Sequence, residues 1–434
     1  MPDTNLTAAQ EPENTAVSYE GTIKISVVSS IGMVPVENAT VTISDTADPD
    51  TILMTLTTDS SGQTPVMQLP APPLALSLEP ENEIRPYSEY NITVTAQGYE
   101  PVFISGSEIF ANELSLQPVQ MNPLAAAEEE ESIVVIPDHT LYGDFPPKIP
   151  EDEIKPMAET GEIVLSRVVI PEFIIVHDGV PGDSSAPNYW VRYKDYIKNV
   201  ASCEIYSTWP ESTIYANILV IQSFTLNRVY TEWYRNQGYN FTITSSTAYD
   251  QKWVYGRNIF KNIDYLVDTI FANYLSRPGV RQPIFTSYCD GRRVTCAGLS
   301  QWGSMYLGEE GYSAIDIIRY YYGNDMYINS ATVISGVPSS WPGYDLNIGA
   351  SGEKVRQLQN QLNRIARNYP AIPTVTADGI YGPADGIYGP ATANAVRTFQ
   401  GIFNLPQTGI TDYPTWYEIS EIYVGVSRIS EPGT

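Results

Sequence analysis

The chain has 434 residues, with 50 acidic against 24 basic side chains and a formal charge of −26. A length of this order implies about three domains of roughly 100–200 residues each. The acidic balance leaves no broad positive field for a nucleic-acid backbone or an anionic membrane surface. Thirty-one tyrosines and seven tryptophans supply aromatic faces of the kind that hold uncharged sugars, although most such rings serve cores.

Residues 1–17 are polar and acidic and read as a disordered leader. They lack the basic region and apolar run of a secretory signal, and no stretch of about 18 apolar residues predicts a membrane span. From 18 to 123 the runs TIKISVVSS, ATVTISD, ILMTLTTD and YNITVTAQGYEPVFI alternate apolar with polar residues between Gly, Pro, Asn and Asp clusters. That period predicts an antiparallel β-sandwich. It offers no nucleophile, metal cluster or acid/base pair, so its expected role is structural, inhibitory or targeting.

Residues 124–160 are dense in prolines and acids without periodicity and read as an exposed linker open to proteases. Strand-like runs return at 163–193. From Tyr196 the pattern is helical, and Ile214, Ile218 and Ile221 recur at helix spacing. Pro210 suits the first position of that helix and Glu211 its first turn. Residues 331–344 read as a second linker. Beyond 345, Val355, Leu358, Leu362 and Ile365 mark one amphipathic helix, and Ala395, Val396, Phe399 and Phe403 another. The expected fold is multidomain: an N-terminal antiparallel β-sandwich (18–123), a central α+β domain (161–330) and a small α-helical C-terminal domain (345–434).

Three cysteines, Cys203, Cys289 and Cys296, are too few for a disulfide scaffold and read as thiols made in a reducing compartment. His139 and His177 have no cysteine or acidic partner at ligand spacing, so no metal and no other cofactor is expected.

The sandwich segment, with PVENATVTISD followed by DSSGQT, resembles carboxypeptidase regulatory-like domains. The C-terminal segments IGASGEKVRQLQNQL, DGIYGPATANAVRTFQ and TGITDYPTWYEI resemble the type 1 peptidoglycan-binding domain. In that pattern Asp385, Tyr388, Thr392, Gln400 and Trp416 are the module's signature positions. DGIYGPA occurs twice, at 378–384 and 385–391, and the second copy is assigned to the family turn.

The central segments VASCEIYSTWPESTIYAN, AGLSQWGS and IDIIRYYYG resemble the stage II sporulation protein D (SpoIID/LytB) family, which includes amidase enhancers and lytic transglycosylases. Over its full length the chain resembles the clostridial spore cortex-lytic enzymes. The resemblance implies cleavage of the MurNAc–GlcNAc bond by a precursor that a germination protease activates. Its partners are then peptidoglycan strands and that protease, and its place the spore cortex or coat.

A lytic transglycosylase needs one carboxyl group of raised pKa, which first protonates the glycosidic oxygen and then takes the C6 hydroxyl proton. Glu204 holds the family's glutamate position, with Glu211 as second candidate. Tyr206 and Trp209 are expected to desolvate it, and Ser300, Gln301 and Trp302 to line the groove. The alternative is a wall-binding or amidase-enhancing protein without chemistry. Thr295 stands where the family has a histidine, so any role of that histidine is absent.

Overall fold

The computed structural model describes residues 19–124, 132–155, 167–375 and 384–427. The leader 1–17 and, apart from Ala384, the first DGIYGPA copy lie outside the described residues.

Strands β1 (Glu20–Ser29), β2 (Thr40–Asp45), β3 (Asp48–Thr57), β4 (Met67–Pro70), β5 (Ser88–Thr95), β6 (Val102–Ile109) and β7 (Leu114–Met121) build the N-terminal sandwich. Alternation puts Ile23, Ile25 and Val27 on the buried face of β1, and Val41, Ile43, Ile92 and Val94 face them from β2 and β5. The DSSG turn is held by the Asp59 carboxylate, which accepts from the amides of Ser61 (2.8 Å) and Gln63 (3.0 Å). Gly62 closes it at φ +71°, and a side chain there would run into the Val27 carbonyl.

Two expectations need correction. The sandwich is mixed rather than antiparallel: β1 pairs parallel with β7, because alternation fixes which face is buried and not strand direction. It also borrows strands from beyond its expected end. A further strand, β8 (Ser132–Val135), adds parallel to β6, and Ile259–Phe260 of the central region pairs with β7.

The central region is organised around helix α1 (Tyr193–Glu204) and helix α2 (Glu211–Tyr230). Nearly every side chain of α2 is buried, so it runs through the core rather than over it. Pro210 precedes α2 as its N-cap and Glu211 is the first helical residue, one position later than the sequence implies. Helix α3 (Lys261–Ile270), helix α4 (Gln301–Glu309) and helix α5 (Ala314–Tyr322) surround this pair.

Helix α6 (Glu353–Ala366), helix α7 (Pro390–Ile402) and helix α8 (Tyr413–Ser427) form the C-terminal module. Its α8 docks on α1 and α3 through a buried ion network. Lys194 meets Asp268 (3.0 Å), Glu418 (2.6 Å) and Glu421 (2.8 Å), and Lys198 meets Asp264 (2.6 Å) and Asp268 (2.9 Å).

Neither expected linker behaves as one where it is described. In the second, Val333–Ile334 pairs parallel with Val169–Ile170. In the first, residues 138–155 form a strap across the central region. Glu151 takes both terminal nitrogens of Arg228 (2.9 and 2.6 Å), and Glu153 accepts from two nitrogens of Arg277. Lys155 exchanges backbone bonds with the Gln282 amide (3.1 and 3.0 Å). Arg228 is wholly buried between Glu151 and Asp250, and removing one partner of such a buried charge costs about 3–5 kcal/mol.

Candidate functional site

Glu204 is the last residue of α1 and is 3% exposed. Its Oε1 accepts from the Lys252 amide (2.8 Å), and its Oε2 accepts from the Tyr288 hydroxyl. Gln301 Nε2 donates to the Glu204 carbonyl (3.0 Å) and so ties the end of α1 to the start of α4. Burial raises the Glu204 carboxyl above the ordinary glutamate range, while the Lys148 ammonium, the Tyr288 hydroxyl and the Lys252 amide pull it back. The carbonyl end of α1 disfavours the anion further.

The carboxyl faces a cavity of about 70 Å³ whose wall includes strap residues Phe145, Pro146, Pro147 and Lys148. Pockets that enclose ligands of a few hundred daltons hold roughly 300–1,000 Å³, so the cavity is too small to enclose a disaccharide in this form. Lys148 reaches in with its ammonium 4.5 Å from the centre of the Tyr288 ring and donates to the Asp250 carbonyl. Neither Lys148 nor Tyr288 has a local sequence signal. Tyr288 arrives on a two-residue strand, Tyr288–Cys289, paired parallel with Leu299–Ser300.

The other sequence candidates separate. Glu211 is exposed in the first turn of α2 and takes no part in the cavity. Tyr206, Trp209 and Trp302 are buried in one aromatic cluster with ring centres 5.0–6.0 Å apart. That cluster faces the sandwich rather than a groove. Phe110 packs 5.2 Å from Tyr206, and Trp209 Nε1 donates to the Ser77 carbonyl (3.0 Å). None of the three lines the cavity; of the groove candidates only Gln301 does. Ser300 caps α4, its Oγ accepting from the Gly303 amide (2.9 Å).

Cys289 and Cys296 are not thiols: a disulfide joins them, and Cys203 alone is free and buried. Their Cα atoms lie 6.1 Å apart, within the range a disulfide spans. His177 is held by Asn188 (2.8 Å) and stacks on Phe241, while His139 packs 4.6 Å from Tyr206.

In the C-terminal module the signature residues form its scaffold. Gln359 Nε2 donates to Asp385 (2.9 Å) and Thr392 (3.0 Å), and Gln400 Nε2 donates to Thr415 (3.1 Å). The Tyr388 hydroxyl donates to the Gly409 carbonyl (3.0 Å), and Trp416 Nε1 donates to the Ser339 carbonyl (3.1 Å). Tyr388, Thr392, Gln400 and Trp416 are buried, and Asp385 alone is exposed.

No curated protein matches the chain. Among solved structures it is similar to a minor pilin of Streptococcus agalactiae at 12% identity, over 26% of this chain and 48% of that one, with a TM-score of 0.18. Hydroxyquinol 1,2-dioxygenase of Pseudomonas putida gives 12% identity, 25% and 58% coverage and a TM-score of 0.19. Catechol 1,2-dioxygenase of Acinetobacter radioresistens gives 14%, 28%, 59% and 0.17. The chain thus spans between 48% and 59% of these proteins, and likeness at such scores assigns neither fold nor activity. The family model for the peptidoglycan binding domain matches residues 351–419, a stretch that takes in α6, α7 and the start of α8. The chain therefore carries a C-terminal peptidoglycan-binding domain, which associates it with the cell wall.

Proposed function

We propose that the chain is a peptidoglycan-cleaving enzyme of the spore cortex, a lytic transglycosylase with Glu204 as its one acid/base group, made as a precursor and activated by proteolysis during germination. The observation that carries this reading is a buried glutamate that faces the cavity, raised in pKa and oriented by Tyr288, in a chain that also carries a peptidoglycan-binding domain. Protonated Glu204 gives its proton to the glycosidic oxygen as the bond breaks. The carboxylate then takes the C6 hydroxyl proton while that oxygen closes the 1,6-anhydro ring. The Tyr288 face that now carries the Lys148 ammonium suits the positive charge that develops on the sugar ring.

The small cavity and the strap that walls it support the precursor part of the reading. A second reading, a wall-binding or amidase-enhancing protein without chemistry, takes its support from the same small cavity. Digestion of purified cortex by the proteolysed chain after its two fragments have separated, with mass spectrometry of the products, tests both. Anhydro-muramic ends support the transglycosylase and reducing muramic ends support a hydrolase. Undigested cortex would leave the wall-binding reading.

A further inference from the structure

We infer that the disulfide-closed loop 289–296 is a carboxylate-binding rim of the Glu204 site, with Arg292 and Arg293 as ligands for the acidic groups on peptidoglycan's peptide stems. The inference rests on the reading of the site given above and names the part of the substrate that this rim takes.

In a chain of net charge −26, an acidic substrate is repelled unless cations stand where it must bind. Arg293 stands there, with Arg292 next to it in the chain. Cys289, Asp290 and Arg293 all line the cavity that holds Glu204.

The loop is rigid where it needs to be. The disulfide closes its ends. Inside, the Asp290 carboxylate accepts from the amides of Arg292 (3.3 Å), Arg293 (3.0 Å) and Val294 (2.9 Å). Gly291, at φ +78°, lies so close to Ser300 that any side chain would collide with it. The backbone is pinned, and the two guanidinium groups project from it. A guanidinium offers paired donors that match the two oxygens of a carboxylate.

Both arginines already hold acidic or carbonyl oxygens. Arg293 donates to the Gly143 carbonyl and lies 3.7 Å from the Asp144 carboxylate. Arg292 lies 3.4 Å from Glu81. The Glu81 and Asp144 side chains are 84% and 101% exposed, and surface pairs of this kind contribute only about 0–1 kcal/mol. A substrate carboxylate can displace them. Asp144 comes from the strap that walls the cavity and Glu81 from the sandwich.

The test uses the full chain and a soluble probe, N-acetylmuramyl dipeptide, against the same compound with its one free carboxyl amidated, with binding read by calorimetry. Glu81→Gln with Asp144→Asn, both at exposed positions, should raise affinity for the acid probe several-fold and leave the amide unchanged. Adding Arg292→Gln and Arg293→Gln should lower acid-probe affinity at least tenfold. Equal affinity for acid and amide, or indifference to the arginine changes, or no acid-probe binding to the double variant at millimolar concentration, would overturn the inference. The readout needs no bond cleavage. Arginine-dependent binding without cortex digestion by the cut and separated protein would sink the catalytic reading alone, and digestion with arginine-independent binding would sink this one alone.

Discussion

Lys148 and Glu204 meet across one small cavity, the lysine brought by a strap of proline-rich chain and the glutamate by the end of α1. The ammonium lowers the pKa of the carboxyl that burial raises. In the proposed reaction Glu204 acts as an acid, and a residue that lines its pocket holds it toward its ionised form.

Glu204→Gln keeps the shape of the carboxyl and removes the transferable proton. Muropeptide release should fall by about 10²–10⁴-fold, with cosedimentation on insoluble peptidoglycan unchanged because α6–α8 are untouched. Glu211→Gln, at an exposed position in the first turn of α2, should cost a few tenths of a kcal/mol and leave release unaltered. Equal release by the Glu204 variant and the parent would remove the assignment.

Tyr288→Phe deletes the hydroxyl that donates to Glu204 Oε2 and leaves a buried ring. A hydrogen bond to a charged group contributes about 1.5–3 kcal/mol, so the rate should drop roughly 10- to 100-fold. Because this bond lowers the Glu204 pKa, its loss should move the alkaline limb of the pH–rate profile upward. Lys148→Met should move the limb the same way. A fall in rate with an unmoved limb would make Tyr288 a packing residue only.

The helices of the C-terminal module were legible because their apolar residues repeat at one period and pack locally. Glu204 stood out by its place in a motif. Lys148 did not, because residues 138–155 carry no periodicity. Their path is set by Arg228, Arg277 and Gln282, 77 to 127 residues away in the chain. Tyr206, Trp209 and Trp302 were misplaced for a related reason. An aromatic beside a candidate acid serves a core as well as a sugar, and here Phe110 and Ser77 from the sandwich decide the matter. The disulfide was missed because three cysteines allow several pairings or none.

His139 links pH to the strap. Burial, with the Arg257 guanidinium adding to it, holds its pKa well below 6.5. The folded protein therefore keeps it neutral while the unfolded chain takes a proton. Its contribution is fully present above about pH 6.5 and is lost as pH falls, at about 1.4 kcal/mol per pH unit. Denaturation of the parent and of His139→Leu between pH 6.5 and 5 should give slopes differing by about that amount. Parallel slopes would contradict it.

A single cut between Lys155 and Arg167 should not open the site by itself. The N-terminal fragment would keep the strap, and the strap holds the central region through Glu151–Arg228, Glu153–Arg277 and the Gln282 exchange. The sandwich adds the pairing of β7 with Ile259–Phe260, the buried Glu108–Arg257 pair and the burial of Tyr87 and Phe110 in the central core. Against such an interface the loss of one peptide bond is small, so the two pieces should co-elute on gel filtration after cleavage. Cortex digestion should then rise with dissociation rather than with the cut. Glu151→Gln with Glu153→Gln weakens the strap, leaving Arg228 its Asp250 partner and Arg277 its Asp325 partner, and should speed both separation and digestion of the cut protein. Immediate full activity on cleavage, with the fragments still bound to each other, would show that the strap does not close the site.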